Sequence, residues 1–441
     1  MGHHLLSPGT SYRRLQQRLD RNVTGAPESP QFREILKLLF TREEAELAQR
    51  VPTQLTSVAR LAERLGLDPA PLEDRLTRMA AKGLVFDVEH EGRRYFSLSP
   101  VVIGFFELTF MRAGDDVPRA ELARLFEEYF FAGDGRFAKA VFEGETQLGR
   151  SLVRESSLPK EPAVEILDWE RASRIVEEAR TVAVSLCACR HHAQHLGRVC
   201  DRPLRACMSF DSSAETLQRT GHAEKISNAE GLRILAECQG AGLAQTADNV
   251  RKGVGYICNC CGCCCGMMTA IRRFGIPGAI VSSNWIAEVN EAQCSGCGLC
   301  VKACPAEVLE LEERPLADGR KPKKAVRDES ACLGCGVCVS ACKRGALEMK
   351  VRPARVFTPE TTFDRIVTMA IERGKLADLM MEDPENLTFQ ALGRILAVLE
   401  AAPPWKAAIA IKPLKSVFLG TVLPLARWGA GGMARVGQAP A

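Results

Sequence analysis

The sequence predicts an α+β chain built from several domains. Three observations carry that expectation. The chain has 441 residues, more than one ordinary domain, with 46% hydrophobic and 25% charged residues. Its apolar spacing is helical near the N-terminus and alternates between strand and helix after about residue 180. All 19 cysteines lie between Cys187 and Cys342, often one to three residues apart.

Those cysteines exclude a secreted disulfide scaffold. Such chains are short and spread their bridges over the fold, and an odd number cannot pair fully within the chain. Dense thiols in one third of a long chain point to metal or iron–sulfur ligation in a reducing compartment. The net charge of +4, with no long Lys/Arg block, disfavours a protein devoted to nucleic acid. The start, Met1–Leu6, soon turns Arg-rich and lacks the apolar core of a signal peptide. The uncharged stretch Ser416–Ala426 has 11 residues, includes Gly420 and Pro424, and is too short to span a bilayer. A cytoplasmic location is therefore expected.

The elements predict five regions, 1–112, 113–180, 181–288, 289–350 and 351–441. In the first, Phe32, Ile35, Leu36, Leu39 and Phe40 mark one helix face, and Thr41 with Glu44 forms a capping box for the next. Ser57–Leu65 reads as a helix stopped at Gly66, and Asp68 or Pro69 opens another that Gly83 stops. Leu84–Leu98 reads as two strands turning near Glu91–Gly92. Helix, glycine turn, helix and hairpin resemble a winged helix-turn-helix domain. Its reading helix would hold Glu73, Asp74, Arg75, Arg78 and Lys82, a face of mixed sign. Residues 1–100 carry 15 basic against 13 acidic side chains, so DNA is disfavoured and docking or homodimer formation is the expected use.

Region 113–180 is a helical connector, with helices expected over Pro118–Phe131 and Asp168–Arg180; just before it, Val101–Met111 reads as an apolar helix or strand. Region 181–288 is expected to be an α/β cysteine-rich domain. Thr181–Leu186 reads as a strand entering Cys187, Gly253–Ile257 leads into Cys258, Cys263–Phe274 reads as helix, and Ile276–Val281 as strand. In an open α/β sheet ligands gather at strand ends, so the two thiol-rich loops are expected to meet there.

The strongest signal is Cys294-x2-Cys297-x2-Cys300-x3-Cys304-Pro305, repeated as Cys332-x2-Cys335-x2-Cys338-x3-Cys342. Three thiolates at equal steps wrap one cluster, and Gly298 and Gly336 let the backbone pass close. A pair of four-thiolate zinc sites is the competing reading, although zinc knuckles separate two C-x2-C pairs by a longer loop. The runs resemble the bacterial dicluster ferredoxin pattern over about residues 289–349. That resemblance implies a 2[4Fe-4S] ferredoxin-like domain. One cluster would be held by Cys294, Cys297, Cys300 and Cys342, the other by Cys332, Cys335, Cys338 and Cys304. The link between the runs, with Ala317–Lys324 as a polar basic loop, is longer than in small ferredoxins.

Eleven cysteines remain upstream. Cys258–Cys265 holds six in eight residues, too many for core packing. We expect one or two additional iron–sulfur clusters, with Cys187, Cys189, Cys200, Cys207, Cys258, Cys261 and Cys264 as candidate ligands. If a helix starts at Cys260, then Cys261, Cys264 and Cys265 share a face. A mononuclear zinc site or a thiol redox site are the alternatives. Cys260-Cys261-Gly262 resembles the CCG motif of heterodisulfide-reductase-type subunits, but the surrounding spacing does not. Cys238 reads as a core residue. His191 and His195, i and i+4 on a helix, form a candidate ligand pair, and Arg190, Arg198 and Arg205 would place positive charge beside the cluster.

The whole arrangement resembles multidomain iron–sulfur proteins that join an N-terminal winged-helix-like part to a dicluster ferredoxin part. The expected function is electron transfer to a redox protein, either a flavoprotein or a membrane-bound oxidoreductase. The alternatives are a reductase with its active centre in the Cys187/Cys258 region and an iron–sulfur transcriptional regulator. The last region is expected to be helical. Its tail, 401–441, has five basic residues and no acid, and is a candidate for peripheral membrane contact.

Overall fold

The computed structural model describes residues 8–131, 133–159, 167–315 and 321–380. The chain divides into two compact units. One holds residues 1–146, 215–223 and 360–441, and the other holds 147–214 and 224–359.

The first unit begins with α1 (Pro8–Asp20), α2 (Pro30–Leu39) and α3 (Arg42–Ala48). The Ser29 hydroxyl accepts the Phe32 N–H at 3.0 Å to start α2. Thr41 and Glu44 cap α3 reciprocally, at 3.2 and 2.8 Å. Next come β1 (Thr56–Ser57), α4 (Val58–Leu65), α5 (Pro69–Ala81), β2 (Val85–His90) and β3 (Arg93–Leu98). The strands pair antiparallel in the order β1-β3-β2, and Glu91 and Gly92 take positive φ to make the hairpin turn. Asp87 on β2 is buried and receives Arg94 and Arg219, the latter at 3.2 Å.

The apolar stretch 101–111 is not one helix or strand. Extended backbone at Val102 and Gly104 breaks it before α6 (Phe106–Phe110). Gly104 there presses against Pro100, and its N–H donates to Glu107 at 2.8 Å. Then follow α7 (Arg119–Phe131) and α8 (Arg136–Val141). Phe105, Phe106, Phe126, Tyr129, Phe130 and Phe137 pack ring against ring as the core.

The second unit is built on a six-stranded sheet. In chain order its elements are β4 (Gly149–Ser151), α9 (Ala172–Glu178), β5 (Val182–Leu186), α10 (Ala188–His195), β6 (Arg205–Phe210), α11 (Asp211–Arg219), β7 (Glu224–Ile226), α12 (Asn228–Gly240), β8 (Ala244–Asp248), β9 (Tyr256–Cys260) and α13 (Gly266–Phe274). The last residues of α11 fall in the first unit. The strand order is β4-β8-β9-β6-β5-β7, and every pairing is antiparallel. The expected open α/β sheet is therefore absent, and its strand-end rule does not apply. The loops meet for another reason. β5 and β9 are both antiparallel to β6, so they point the same way and end at the same edge, where β6 begins. One sheet face is sealed by Val176, Ile234, Leu235 and Cys238 from α9 and α12.

Two expected elements differ. Asp168–Arg180 is a short 3₁₀ turn followed by α9, and Ile276–Val281 is a 3₁₀ turn over Pro277–Ala279. Proline and glycine at 277 and 278 suit a turn better than a strand.

The remainder of this unit comprises β10 (Trp285–Val289), α14 (Leu299–Ala303), β11 (Leu309–Glu313), β12 (Lys323–Arg327), α15 (Val337–Ala341) and β13 (Leu347–Val351). β10 pairs with β13 and β11 with β12, both antiparallel. Lys323 and Lys324, expected in a loop, begin β12 and face Glu313 and Glu312 across the ladder. Finally α16 (Thr362–Glu372) belongs to the first unit, with Thr361 and Asp364 as its capping box. The basic tail from Lys406 onward lies outside the described residues. Among the described residues no helix is long and apolar enough to cross a membrane.

Candidate metal centres

The cysteine runs at 294–304 and 332–342 fold alike. After two cysteines in a loop, Gly298 and Gly336 adopt positive φ (74° and 79°) and start α14 and α15. The third thiol of each run thus sits on a short helix and the fourth follows it. Gly296 and Gly334 are required more strictly. A Cβ on Gly296 would lie 2.2 Å from the Lys323 carbonyl oxygen, and one on Gly334 would lie 2.1 Å from that of Trp285.

The two runs exchange their last thiols. Cys304, from the first run, lines one cavity with Cys332, Cys335 and Cys338 from the second. Cys300 has Cys294 and, from the second run, Cys342 as its electrostatic neighbours. Cys338 also senses Cys300, so the two groups adjoin.

The donor set suits anionic iron–sulfur clusters. The Ala325 N–H donates to the Cys294 sulfur at 3.4 Å, and the backbone N–H groups of Leu299 and Val337 favour the thiolates of Cys297 and Cys335. Burial pushes the Cys335 thiol up to about 12 and that of Cys338 up as well. Positive charge that the cysteine pattern does not reveal offsets this. Arg154 is buried beside Cys335 and Cys338, and its own N–H donates to the Cys335 carbonyl at 3.0 Å. Arg352 lies beside Cys332 and donates to its carbonyl at 2.6 Å. Both guanidinium groups are lowered by their own burial and raised by these thiols.

Upstream, ten of the eleven cysteines form two groups. Cys200, Cys261, Cys263 and Cys264 place all four sulfurs within 4.8 Å of one another. The sulfurs stand 3.9 Å apart for Cys200–Cys261, 3.9 Å for Cys264–Cys200 and 3.8 Å for Cys264–Cys263. The second group is a row in which thiol contacts run Cys207–Cys258–Cys260–Cys265–Cys189–Cys187. Of the candidate ligands, Cys200, Cys261 and Cys264 fall in the first group. Cys187, Cys189, Cys207 and Cys258 fall in the second.

Cys260, Cys263 and Cys265 join these groups without having been among the candidate ligands. The helix considered from Cys260, which would set Cys265 on one face with Cys261 and Cys264, does not form. Helix α13 starts at Gly266, with Cys265 as its N-cap. Cys261 and Cys264 therefore meet through a tight turn, while Cys265 points into the other group. Strand alternation, by contrast, could have found Cys260, which shares a face of β9 with Cys258. Cys238 is fully buried in the apolar core, where burial holds its thiol at about 12.

Arg190 joins the two upstream groups. It is fully buried, donates to the Asn259 carbonyl at 3.0 Å, and is held charged by Cys187, Cys261 and Cys260 despite its burial. Its Nε and Nη2 find no protein oxygen. Arg205, expected to play this part, instead pairs with Glu224 and Glu230 at 3.0 and 3.2 Å. His191 and His195 do neighbour each other on α10, with ring centroids 4.9 Å apart and planes tilted by 40°, but no histidine belongs to the compact four-thiol group.

The upstream thiols abut the paired runs. A Cβ on Gly262 would lie 2.9 Å from the Pro305 carbonyl oxygen, and Pro305 directly follows Cys304. Arg272 ties this contact by binding both the Gly262 carbonyl and Glu307.

A family model described as a 4Fe-4S dicluster domain matches residues 293–346. No curated protein and no solved structure matches the chain. The chain therefore contains a [4Fe-4S] dicluster ferredoxin domain, and with it an electron-transfer role.

Proposed function

We propose that this chain passes single electrons between redox partners through its two ferredoxin clusters and through a further iron–sulfur centre at the Cys187/Cys258 row. When bound, a [4Fe-4S] cluster takes up and releases one electron at a time. In this reading Cys294, Cys297, Cys300 and Cys342 hold one ferredoxin cluster. Cys332, Cys335, Cys338 and Cys304 hold the other.

The contact of Gly262 with Pro305 carries the reading. It sets the upstream thiol loop directly against the residue after Cys304, so the sulfur-rich regions form one continuous body. Arg154 and Arg190 are buried beside these thiols, Arg352 is half-buried beside Cys332, and all three favour the more negative, reduced state.

The N-terminal winged-helix-like part is proposed to dock a partner or a second copy. Lys82 is paired with Glu44 at 2.6 Å, and Arg94 with Glu73 at 3.1 Å, so part of its basic charge is already neutralised. The expected setting is the cytoplasm, with a flavoprotein or another oxidoreductase as partner.

A reductase is the second reading. One observation favours it: the row holds six thiols, more than the four a cubane takes.

Iron and acid-labile sulfide analysis of the anaerobically purified full chain, with a spectroscopic redox titration, tests the proposal. About twelve iron atoms with three reducible centres are expected. Eight iron atoms, with Cys187 and Cys258 open to alkylation in the native protein, would overturn the third centre.

A further inference from the structure

Two kinds of thiol spacing occur in the second unit. Among the described residues, Cys200, Cys261, Cys263 and Cys264 form the one group of three or more Cys, His, Asp or Glu ligands whose donor atoms all lie within 4.8 Å of one another. The eight ferredoxin thiols form no such group, although four of them surround a single cavity.

The difference has a simple geometric origin. Four thiolates on a cubane each bind a different iron, so their sulfurs stand apart around the whole cluster. Four thiolates on one ion share a centre. With a metal–sulfur bond of about 2.3 Å, a tetrahedron places its sulfurs about 3.8 Å apart. The observed contacts of 3.8, 3.9 and 3.9 Å match the single-ion figure.

We propose that Cys200, Cys261, Cys263 and Cys264 bind one divalent ion, zinc or iron, as a closed tetrathiolate separate from the iron–sulfur clusters. Three ligands come from the turn Cys261-Gly-Cys-Cys264 between β9 and α13. The fourth comes from the segment between α10 and β6. That segment has no helix or strand of its own around Cys200, so the ion acts as a cross-link between two loops at one edge of the sheet. Four thiolates on a divalent ion leave a net charge of about −2. The buried Arg190, whose Nε and Nη2 lack an oxygen partner, stands beside Cys261 to offset it. Nothing in this assignment leaves an open coordination position, so its role is structural.

The site is distinct from the electron-transfer reading and is tested separately. X-ray absorption at the zinc and iron edges of the full wild-type chain, with metal and sulfide analysis, needs no variant. One ion per chain, ligated by four sulfurs at about 2.3 Å and with no second metal nearby, is expected. Zinc in that position and mononuclear iron in that position each support the proposal and name the ion.

Cys263→Ser, at the exposed ligand, is expected to remove that ion with no loss of sulfide or of the ferredoxin signals. Cys238→Ser, at a core thiol that belongs to neither group, should keep it. Loss of sulfide together with several iron atoms in Cys263→Ser would show a cluster there and overturn the assignment. So would a wild-type protein with no metal beyond its clusters.

Discussion

Replacing Gly334 with alanine separates backbone strain from steric overlap in the cluster loop. Gly334 lies between Cys332 and Cys335 at φ +67°, and its missing Cβ faces the Trp285 carbonyl oxygen at 2.1 Å and the Ser283 hydroxyl at 2.4 Å. The hydroxyl can rotate, but the carbonyl belongs to β10, which is paired with β13 along its length. Relief requires about 1 Å of backbone movement, an overpacking cost of about 1–3 kcal/mol. The left-handed conformation adds about 1–2 kcal/mol. Gly345 is the matched control, since it has φ +63° with nothing within 4 Å of a Cβ. Gly345→Ala should therefore cost only about 1–2 kcal/mol. We expect Gly334→Ala to lose about half of the ferredoxin-domain iron, because Cys332 and Cys335 move with the loop. Gly345→Ala should keep it. The assay is iron and sulfide content with low-temperature EPR on anaerobic protein. Equal iron in the two variants would refute the argument that the Trp285 carbonyl decides the loop path.

Arg190→Met should lower the potential of the nearest upstream redox centre, by on the order of 100 mV for a charge about 5 Å away at moderate screening; an unchanged redox titration would contradict it. Asp87→Asn should destabilise the first unit by about 3–5 kcal/mol, since two arginines would lose their buried anion. A loss below about 1 kcal/mol in denaturant unfolding would count against that ion pair. Burial lifts the Glu107 carboxyl from 4.5 to about 7, so it contributes nothing against folding below pH 4.5. The folded form stays protonated while the unfolded form ionises, so the penalty grows from pH 4.5 to about 7 and is full above that. Glu107→Gln, which can still accept the Gly104 N–H, should thus melt higher than wild type at pH 8 and alike at pH 4. The same gain at both values would disprove the link.

The ferredoxin domain was legible because its chemistry imposes a short, rigid spacing on adjacent residues. The cap at Thr41 is equally local. The upstream thiol groups were only half legible. Which thiols of Cys258–Cys265 go together depends on where β9 ends and α13 begins, and six near-identical residues carry no mark of that boundary. The arginines at 154 and 352 were hidden because folding, not sequence proximity, brings them to the clusters. Antiparallel pairing was missed because alternating strands and helices suit either direction until the connections are seen.

Gly262 has a further meaning for anyone wishing to excise the ferredoxin segment. Its bare backbone is moulded to Pro305, so a fragment beginning near Trp285 would carry an uncovered scar where the two surfaces had been pressed together. Natural drift in either surface would have to be answered in the other. The cysteine-rich loop and the cluster domain should therefore travel through evolution as a single heritable piece.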